Sequence, residues 1–199
     1  MTTIDSTATA PTAPTPTTTD TNGANGTNGA ADTIVTSATA VEYAPEHPSR
    51  LRWAEHAPDV YKAMIRLDAA ARKGLEPKLY ELVKIRASQI NHCAFCLDMH
   101  TKDALAAGES VERIVQLAAW EESAHFYTPK ELAAIELTEA VTVLTDGFVP
   151  DEVYDRAAAH FEEAELAQLI AAITVINAWN RFGVTCRMTP GHYQPGQHQ

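Results

Sequence analysis

Apolar positions from residue 58 onward recur at intervals of three or four, as on one face of a helix. No run of alternating polar and apolar residues predicts a strand. The fold class is therefore all-α, and we expect a single bundle of helices. The predicted helices cover residues 58–73, 77–90, 93–107, a stretch from Ser110 through Trp120, 128–144, 150–160 and 163–182.

Capping residues mark several of these helix ends. Ser110 can cap the fourth helix alone, because Arg113 occupies the position where a capping box needs Glu or Gln. Thr128-Pro129-Lys130-Glu131 combines an N-cap, a first-turn proline and a glutamate three residues after the cap, which predicts a capping box. Gly74 and Gly108 are expected to end the first and third helices.

The first part of the chain has a different composition. Residues 1–44 are mostly Thr, Ala, Pro, Gly and Asn, and the first basic residue of the chain is Arg50. Such a segment buries too little apolar surface to offset the entropy lost on ordering. We therefore predict a disordered tail over 1–44 without a catalytic role, a helical domain over 45–191, and an irregular C-terminal tail over 192–199.

The charge balance narrows the range of partners. With 26 acidic and 15 basic residues, the formal net charge is -11, so a nucleic acid is not expected as a partner. No run of about 18 apolar residues predicts a membrane span. The N-terminus lacks a basic region followed by an apolar stretch, so no secretory signal is predicted. The expected location is the cytoplasm.

Three cysteines are present, and two of them lie three residues apart. In a cytoplasmic protein the spacing of Cys93 and Cys96 indicates redox chemistry or metal binding rather than a structural disulfide. Cys186 follows the last long helix and has no partner in the sequence. Its predicted role is structural or incidental.

Four residues form the candidate site. On one helix, the offsets of three and four place Cys93, Cys96 and His100 on one face. Both cysteines would lie at the helix N-terminus, where unpaired N–H groups favour a thiolate. His100 could then hydrogen-bond the Cys96 thiol or take its proton. Glu81, on the preceding helix, could orient His100 directly or through a water.

Other interpretations of the same residues are open. The cysteines could be inert and buried. They could bind zinc with His100 and Glu81, although structural zinc sites usually take ligand pairs from separated loops. We assign no cofactor and no metal. The late cluster of Asn177, Trp179, Asn180 and Arg181 is interpreted as helix packing or a subunit contact, with a wall of a substrate pocket as the alternative.

Two segments carry a resemblance to a known family. Residues 82–100, which include Cys93-Ala-Phe-Cys96-Leu-Asp-Met-His100, resemble the core motif of the carboxymuconolactone decarboxylase superfamily, and in particular its alkyl hydroperoxidase D (AhpD)-like branch. Residues 176–182 resemble a later stretch of that branch. The resemblance spans about residues 45–191. It implies a helical fold, thiol peroxidase activity and a homo-oligomer, most often a trimer or a hexamer.

The resemblance also implies a role for each site residue. Cys96 would attack the hydroperoxide substrate, and Cys93 would resolve the resulting sulfenic acid as a disulfide. His100 and Glu81 would form the proton relay. A dithiol reductant, such as a lipoyl group or a thioredoxin-like protein, would restore the pair. The chain departs from the family at Phe95, where well-described members have a histidine.

Two further functions remain as alternatives. Some members of the wider family are lyases that act on a lactone acid and lack the redox pair, so such an activity would survive loss of both cysteines. A metal-binding or ligand-binding helical module without turnover is the other alternative. The presence of both Cys93 and Cys96 favours the redox branch.

Overall fold

All regular elements in residues 43–196, the part of the chain that the computed structural model describes, are helical, which confirms the all-α prediction. Two short 3₁₀ turns, Leu117–Ala119 and Ala124–Phe126, lie between the fifth and sixth α-helices. The α-helices are α1 (Trp53–His56), α2 (Pro58–Ala71), α3 (Pro77–Ile90), α4 (Ala94–Ala106), α5 (Val111–Gln116), α6 (Pro129–Thr142), α7 (Asp151–Ala158) and α8 (Glu163–Thr185).

The predicted helix ends agree with the structure to within about three residues for six of the seven helices. The exception is the fourth, which was expected to extend through Trp120 but ends at Gln116. The Ser123 hydroxyl donates to the carbonyls of Gln116 and Ala119, which satisfies groups left open where the helix stops. The four-residue helix α1 was not predicted, because it is too short to carry a periodic pattern.

Both predicted N-caps are present. The Ser110 hydroxyl accepts a hydrogen bond from the Arg113 N–H. Thr128 and Glu131 form the predicted capping box, in which each side chain accepts from the backbone N–H of the other residue. Gly108 follows the end of α4 with φ of 82°, a left-handed conformation that glycine adopts without steric cost. These local interactions fix where α4, α5 and α6 begin or end.

Helix α3 lies at the centre of the bundle. It packs against α4, α6 and α8, and nine of its fourteen residues are buried. Two of the buried residues have acidic or basic side chains, Glu81 and Lys84. Because a buried charge is costly without a partner, both side chains need one inside the protein. The central position of α3 therefore brings paired charges into the interior.

Apolar packing surrounds this helix on both sides. One cluster joins residues of α2, α3, α6, α7 and α8, and a second joins α3 with α4, α5 and α6. A third, small cluster consists of Ala87, Cys93, Cys96 and Ile176. Each fully buried aliphatic side chain contributes about 1.5–3 kcal/mol, so the two large clusters hold the frame in which the small one sits.

The segment that follows α8 has no helix after Thr185, but it is held against α4. Lys102 Nζ donates to the carbonyls of Gly191 and Tyr193, and the Tyr193 hydroxyl donates to Asp103 Oδ1 over 2.7 Å. Residues 197–199 and 1–42 lie outside the described residues, and with them nearly all of the predicted N-terminal tail. No helix in the described range is long and apolar enough to cross a bilayer.

Candidate active site

The link between α3 and α4 sets the position of the cysteine pair. It consists of Asn91, His92 and Cys93, and His92 adopts φ of 53°. The Cys93 N–H donates to the Ser88 carbonyl over 3.0 Å, which closes the turn. At the other end of the two helices, Lys78 Nζ donates to the Gly108 carbonyl. Helices α3 and α4 therefore lie side by side and antiparallel.

Both cysteines are buried at the start of α4 and face α8. Cys93 is the N-cap residue, and Cys96 lies in the first turn. A Cβ atom placed on Gly183 of α8 would lie 2.6 Å from Cys93 Sγ and 3.7 Å from Cys96 Sγ. The two sulfurs therefore lie against the same point of the α8 backbone, and only glycine leaves room for them there.

The pKa values of the two thiols are shifted in opposite directions. The hydrogen bond from Cys96 lowers the pKa of Cys93 to about 7, against the effect of burial. The same hydrogen bond, together with burial, raises the pKa of Cys96. Hydrogen bonding by Asn180 lowers the pKa of both thiols, and the charge of Lys84 lowers that of Cys96. Near neutral pH the pair thus contains one thiolate, on Cys93.

Glu81 and His100 form a direct contact. Glu81 Oε2 lies 2.9 Å from His100 Nδ1, and both side chains are about 95% buried. Since a carboxylate only accepts hydrogen bonds, Nδ1 is the donor in this contact, and in the neutral ring Nε2 then carries the lone pair. Among the described residues Nε2 has no hydrogen-bond partner. The expected contact between Glu81 and His100 is present, whereas a hydrogen bond from His100 to the Cys96 thiol is not formed in this structure.

A cavity of about 490 Å³ joins these groups. Cys96, Glu81 and His100 all contribute to its wall, whereas Cys93 does not. Of the two sulfurs, the one that a small molecule in the cavity can reach is that of Cys96. Most of the remaining wall is apolar and includes Ile65, Ala69, Pro77, Phe95, Met99, Ala106, Ala107, Trp179, Met188 and Pro195.

The carboxylates in the cavity wall have partners. Asp68 accepts hydrogen bonds from Lys84 Nζ over 2.7 Å and from the Tyr80 hydroxyl over 3.1 Å. The Lys84 ammonium also lies 4.2 Å from the centroid of the Tyr80 ring. Lys84 therefore combines a buried ion pair with a cation–π contact, and its charge reaches the cavity.

Glu81, His100 and Asp103 are the residues that could hold a metal ion, since their ligand atoms lie within 4.8 Å of one another. Neither Cys93 nor Cys96 belongs to this group. The zinc site considered from the sequence, with both cysteines as ligands, is therefore not formed by the described residues.

Two residues of the site were missed in the sequence. Asp103 follows His100 by three positions on α4, so the spacing of one helical turn could have identified it. Tyr193 belongs to a segment without periodicity, and nothing in the sequence placed it over the cavity. Phe95 lies in the cavity wall, and His92 is exposed. Cys186 is buried at the end of α8 and is not part of the cavity wall.

The fold and the site define a class: an all-helical bundle with a Cys-x-x-Cys pair beside an internal cavity. The family model described as "Carboxymuconolactone decarboxylase family" matches residues 58–140. The uncharacterized protein YdfG of Bacillus subtilis is 42% identical over 136 residues, which are 68% of this chain and 92% of YdfG. The alkyl hydroperoxide reductase AhpD of Coxiella burnetii is 32% identical over 60 residues, 29% of this chain and 34% of that protein.

A solved structure agrees with these relatives. It is that of an Agrobacterium tumefaciens protein of unknown function, described as an antioxidant defence protein of the AhpD type. It superposes with a TM-score of 0.71 at 35% identity, over 73% of this chain and the whole of the other. The chain therefore belongs to the carboxymuconolactone decarboxylase family, within its AhpD-like branch.

Proposed function

We propose that this protein is a thiol-dependent peroxidase that reduces organic hydroperoxides through Cys96 and Cys93. The observation that carries the proposal is the arrangement at the cavity wall. One sulfur of the pair, that of Cys96, lines the cavity beside the Glu81–His100 contact, and the other is hydrogen-bonded behind it. A nucleophile, a base and a group that orients the base are thus present together.

In the first step Cys96 attacks the substrate. His100 Nε2 takes the proton of the Cys96 thiol and becomes an imidazolium, which the Glu81 carboxylate stabilises through Nδ1–H. The Cys96 thiolate attacks the terminal oxygen of the hydroperoxide, and the O–O bond breaks. The alkoxide that leaves takes the proton from His100 and departs as an alcohol, while Cys96 becomes a sulfenic acid.

In the second step Cys93 resolves the sulfenic acid. Its thiolate attacks the Cys96 sulfur, a disulfide forms, and hydroxide leaves and takes a proton from solvent to give water. The Cys96 thiol, the largest cause of the lowered pKa of Cys93, is consumed in the first step, but hydrogen bonding by Asn180 and by the backbone of Cys96 and Phe95 also lowers that pKa and remains available for this role. A dithiol, such as a lipoyl group or a thioredoxin-like protein, reduces the disulfide and completes the cycle.

The cavity wall favours an organic substrate over hydrogen peroxide. Its mostly apolar lining can bury an alkyl or aryl group, while hydrogen peroxide offers no apolar surface. The proposed location is the cytoplasm, where dithiol reductants are kept reduced. We also propose a homo-oligomer, a trimer or a hexamer. Light scattering of the purified protein measures this, and a mass near 21.6 kDa would contradict it.

The test is consumption of cumene hydroperoxide by the reduced protein with excess dithiothreitol, compared with Cys96→Ser and Cys93→Ser. Turnover is expected for the unmutated protein and is expected to be lost in Cys96→Ser. In a single addition of hydroperoxide without dithiothreitol, Cys96→Ser should give no oxidised product. Cys93→Ser should consume one equivalent there and stop at the sulfenic acid, which dithiothreitol can reduce directly. Equal turnover by all three proteins would refute the proposal and favour a lyase that does not use the cysteines.

A further inference from the structure

Three amide side chains, two of them buried and one half-buried, lie behind the cysteine pair and connect α3, α6 and α8. They are Asn91, Asn177 and Asn180, here called the asparagine network. Asn91 Nδ2 lies within 3.0 Å of both Asn177 Oδ1 and Asn180 Oδ1. Asn177 Nδ2 donates in turn to Thr142 Oγ1 and to the Ile173 carbonyl. None of these residues takes part in the proposed reaction.

The network fixes which way the Asn180 amide points. Its oxygen accepts from Asn91, so its nitrogen must point to the opposite side. There Asn180 Nδ2 donates to Ser88 Oγ over 3.0 Å. Because an amide nitrogen carries two protons, this bond leaves one proton for another acceptor. Asn180 is 1% exposed, so that acceptor has to come from the protein interior.

The cysteine sulfurs are the candidate acceptor for this proton. Asn180 lies one turn before Gly183 on α8, and Gly183 is the point against which both sulfurs lie. Ser88 strengthens the connection, since its hydroxyl binds Asn180 and its carbonyl accepts from the Cys93 N–H. The amide of Asn180 and the backbone of Cys93 are thus held through the same residue.

We infer that the Asn180 amide is the hydrogen-bond donor that stabilises the thiolate of the cysteine pair, and that Ser88 and Asn91 fix its orientation. In this role the side chain acts on the charge of the sulfurs. In a helix-packing role, by contrast, the side chain would contribute to folding alone. The inference adds a hydrogen-bond donor to the proposed peroxidase site. It rests on the proposed function only for the reaction in which the thiolate is used.

Electrostatics agree with this geometry. The hydrogen bond between the thiols is the largest influence on the pKa of each cysteine, and burial raises the pKa of both. Hydrogen bonding by Asn180 lowers the pKa of Cys93 and of Cys96 alike. A neutral donor can do this without bringing a competing charge into an interior that excludes water.

The test measures the thiolate directly. The reduced full-length protein is treated briefly with iodoacetamide at pH values from 5.5 to 9.5. Mass spectrometry then quantifies alkylation in the tryptic peptide of residues 87–102, which contains Cys93 and Cys96 but not Cys186. Asn180→Ala is compared with the unmutated protein and with Asn177→Ala. The second variant removes a buried asparagine of the same network that does not touch the sulfurs.

Asn180→Ala is expected to move the alkylation midpoint upward by about one pH unit, which lowers the rate at pH 7 up to tenfold. Asn177→Ala should lower the thermal midpoint of unfolding but leave the alkylation midpoint in place. If Asn180→Ala does not fold, Ser88→Ala carries the test, with a smaller upward shift expected. An unchanged midpoint in the folded Asn180→Ala or, failing that, in Ser88→Ala would overturn the inference.

The assay uses no peroxide, so it separates the two proposals. A shifted midpoint in a protein that does not turn over hydroperoxides would leave the inference standing and remove the proposed function. An unshifted midpoint in an active peroxidase would overturn the inference and leave the proposed function standing.

Discussion

Two groups of buried polar side chains flank the cysteine pair, and they differ in charge and in access to the cavity. The Glu81–His100 pair is ionisable and forms part of the cavity wall. The asparagine network is neutral, lies behind the sulfurs and is absent from the wall. Groups that can exchange protons thus face the substrate side, and groups that cannot do so fix geometry on the other side.

The difference indicates how a buried dithiol can be both reactive and rigid. A proton relay needs groups that change charge, and such groups are costly to bury unless each has a partner. Amides keep the same charge at every pH, so a network of them can hold the sulfurs in one arrangement throughout a cycle. Substitutions on the cavity side should therefore lower the rate, and substitutions in the network away from Asn180 should lower stability alone.

The largest effect is expected on the cavity side, from Glu81→Gln. The substitution keeps the shape and a hydrogen bond to His100 Nδ1 but removes the charge that stabilises the imidazolium. We expect kcat/KM for cumene hydroperoxide to fall about 10²-fold or more, the range for loss of acid–base assistance. Circular dichroism should show an unchanged fold.

Glu139→Gln is the matched control for this variant. Glu139 is also partly buried and accepts hydrogen bonds from Arg86 and Trp120, but it does not contribute to the cavity wall. The Glu139→Gln variant is expected to be less stable than the unmutated protein and to keep its kcat/KM. Equal losses of rate in the two variants would mean that Glu81 acts through the fold rather than through His100.

The second-largest effect on the reaction rate is expected from a change of pH. Because the pKa of Cys93 is lowered to about 7, the thiolate is present above that pH and is lost below it. Resolution should therefore slow about tenfold per pH unit below 7. Since the folded pKa of Cys93 is the lower one, its thiolate adds stability as the pH rises from 7 to the ordinary thiol value of 9.0, and this contribution is lost as the pH falls through 7. Above that range the raised pKa of Cys96 acts in the opposite direction.

Stopped-flow measurement of disulfide formation between pH 5.5 and 8.5 checks this dependence. The Cys93→Ser variant should keep the first oxidation step without the midpoint near 7. A resolution rate that stays flat across this range would show that Cys93 is not the ionised member of the pair.

Much of this site could be predicted from the sequence, because it is local. Cys93, Cys96 and His100 lie on one helix, and Glu81 lies on the helix before it, so helical spacing and a short turn bring them together. Tyr193 and the bonds of Asn91 to α8 depend on how distant segments pack, for which the sequence carries no periodic signal.

The late polar cluster was expected to pack helices or to line a pocket. The structure divides those roles, because Trp179 lines the cavity and Asn177 and Asn180 do not.

Gly183→Ala tests the contact between α8 and the sulfurs. In an open helix the substitution would stabilise by about 1 kcal/mol. Here the new methyl group would overlap Cys93 Sγ, and overpacking costs about 1–3 kcal/mol. Urea unfolding is expected to show a net loss of stability. Repeating the substitution in a Cys93→Ala background should reverse the sign, and a loss of the same size in both backgrounds would exclude the sulfur contact as the cause.

The smallest effect is expected at the far end of the asparagine network, from Thr142→Val. The two side chains have nearly the same shape, but valine cannot accept the hydrogen bond from Asn177 Nδ2, which keeps its second acceptor, the Ile173 carbonyl. Urea unfolding should show a loss of about 0.5–1.5 kcal/mol, and kcat/KM should not change. Thr138→Val is the control, since the Thr138 hydroxyl bonds only the Ala134 carbonyl of its own helix and should cost less. A fall in kcat/KM for Thr142→Val alone would mean that the network behind the sulfurs also sets the rate, and the division between a side that moves protons and a side that holds geometry would no longer stand.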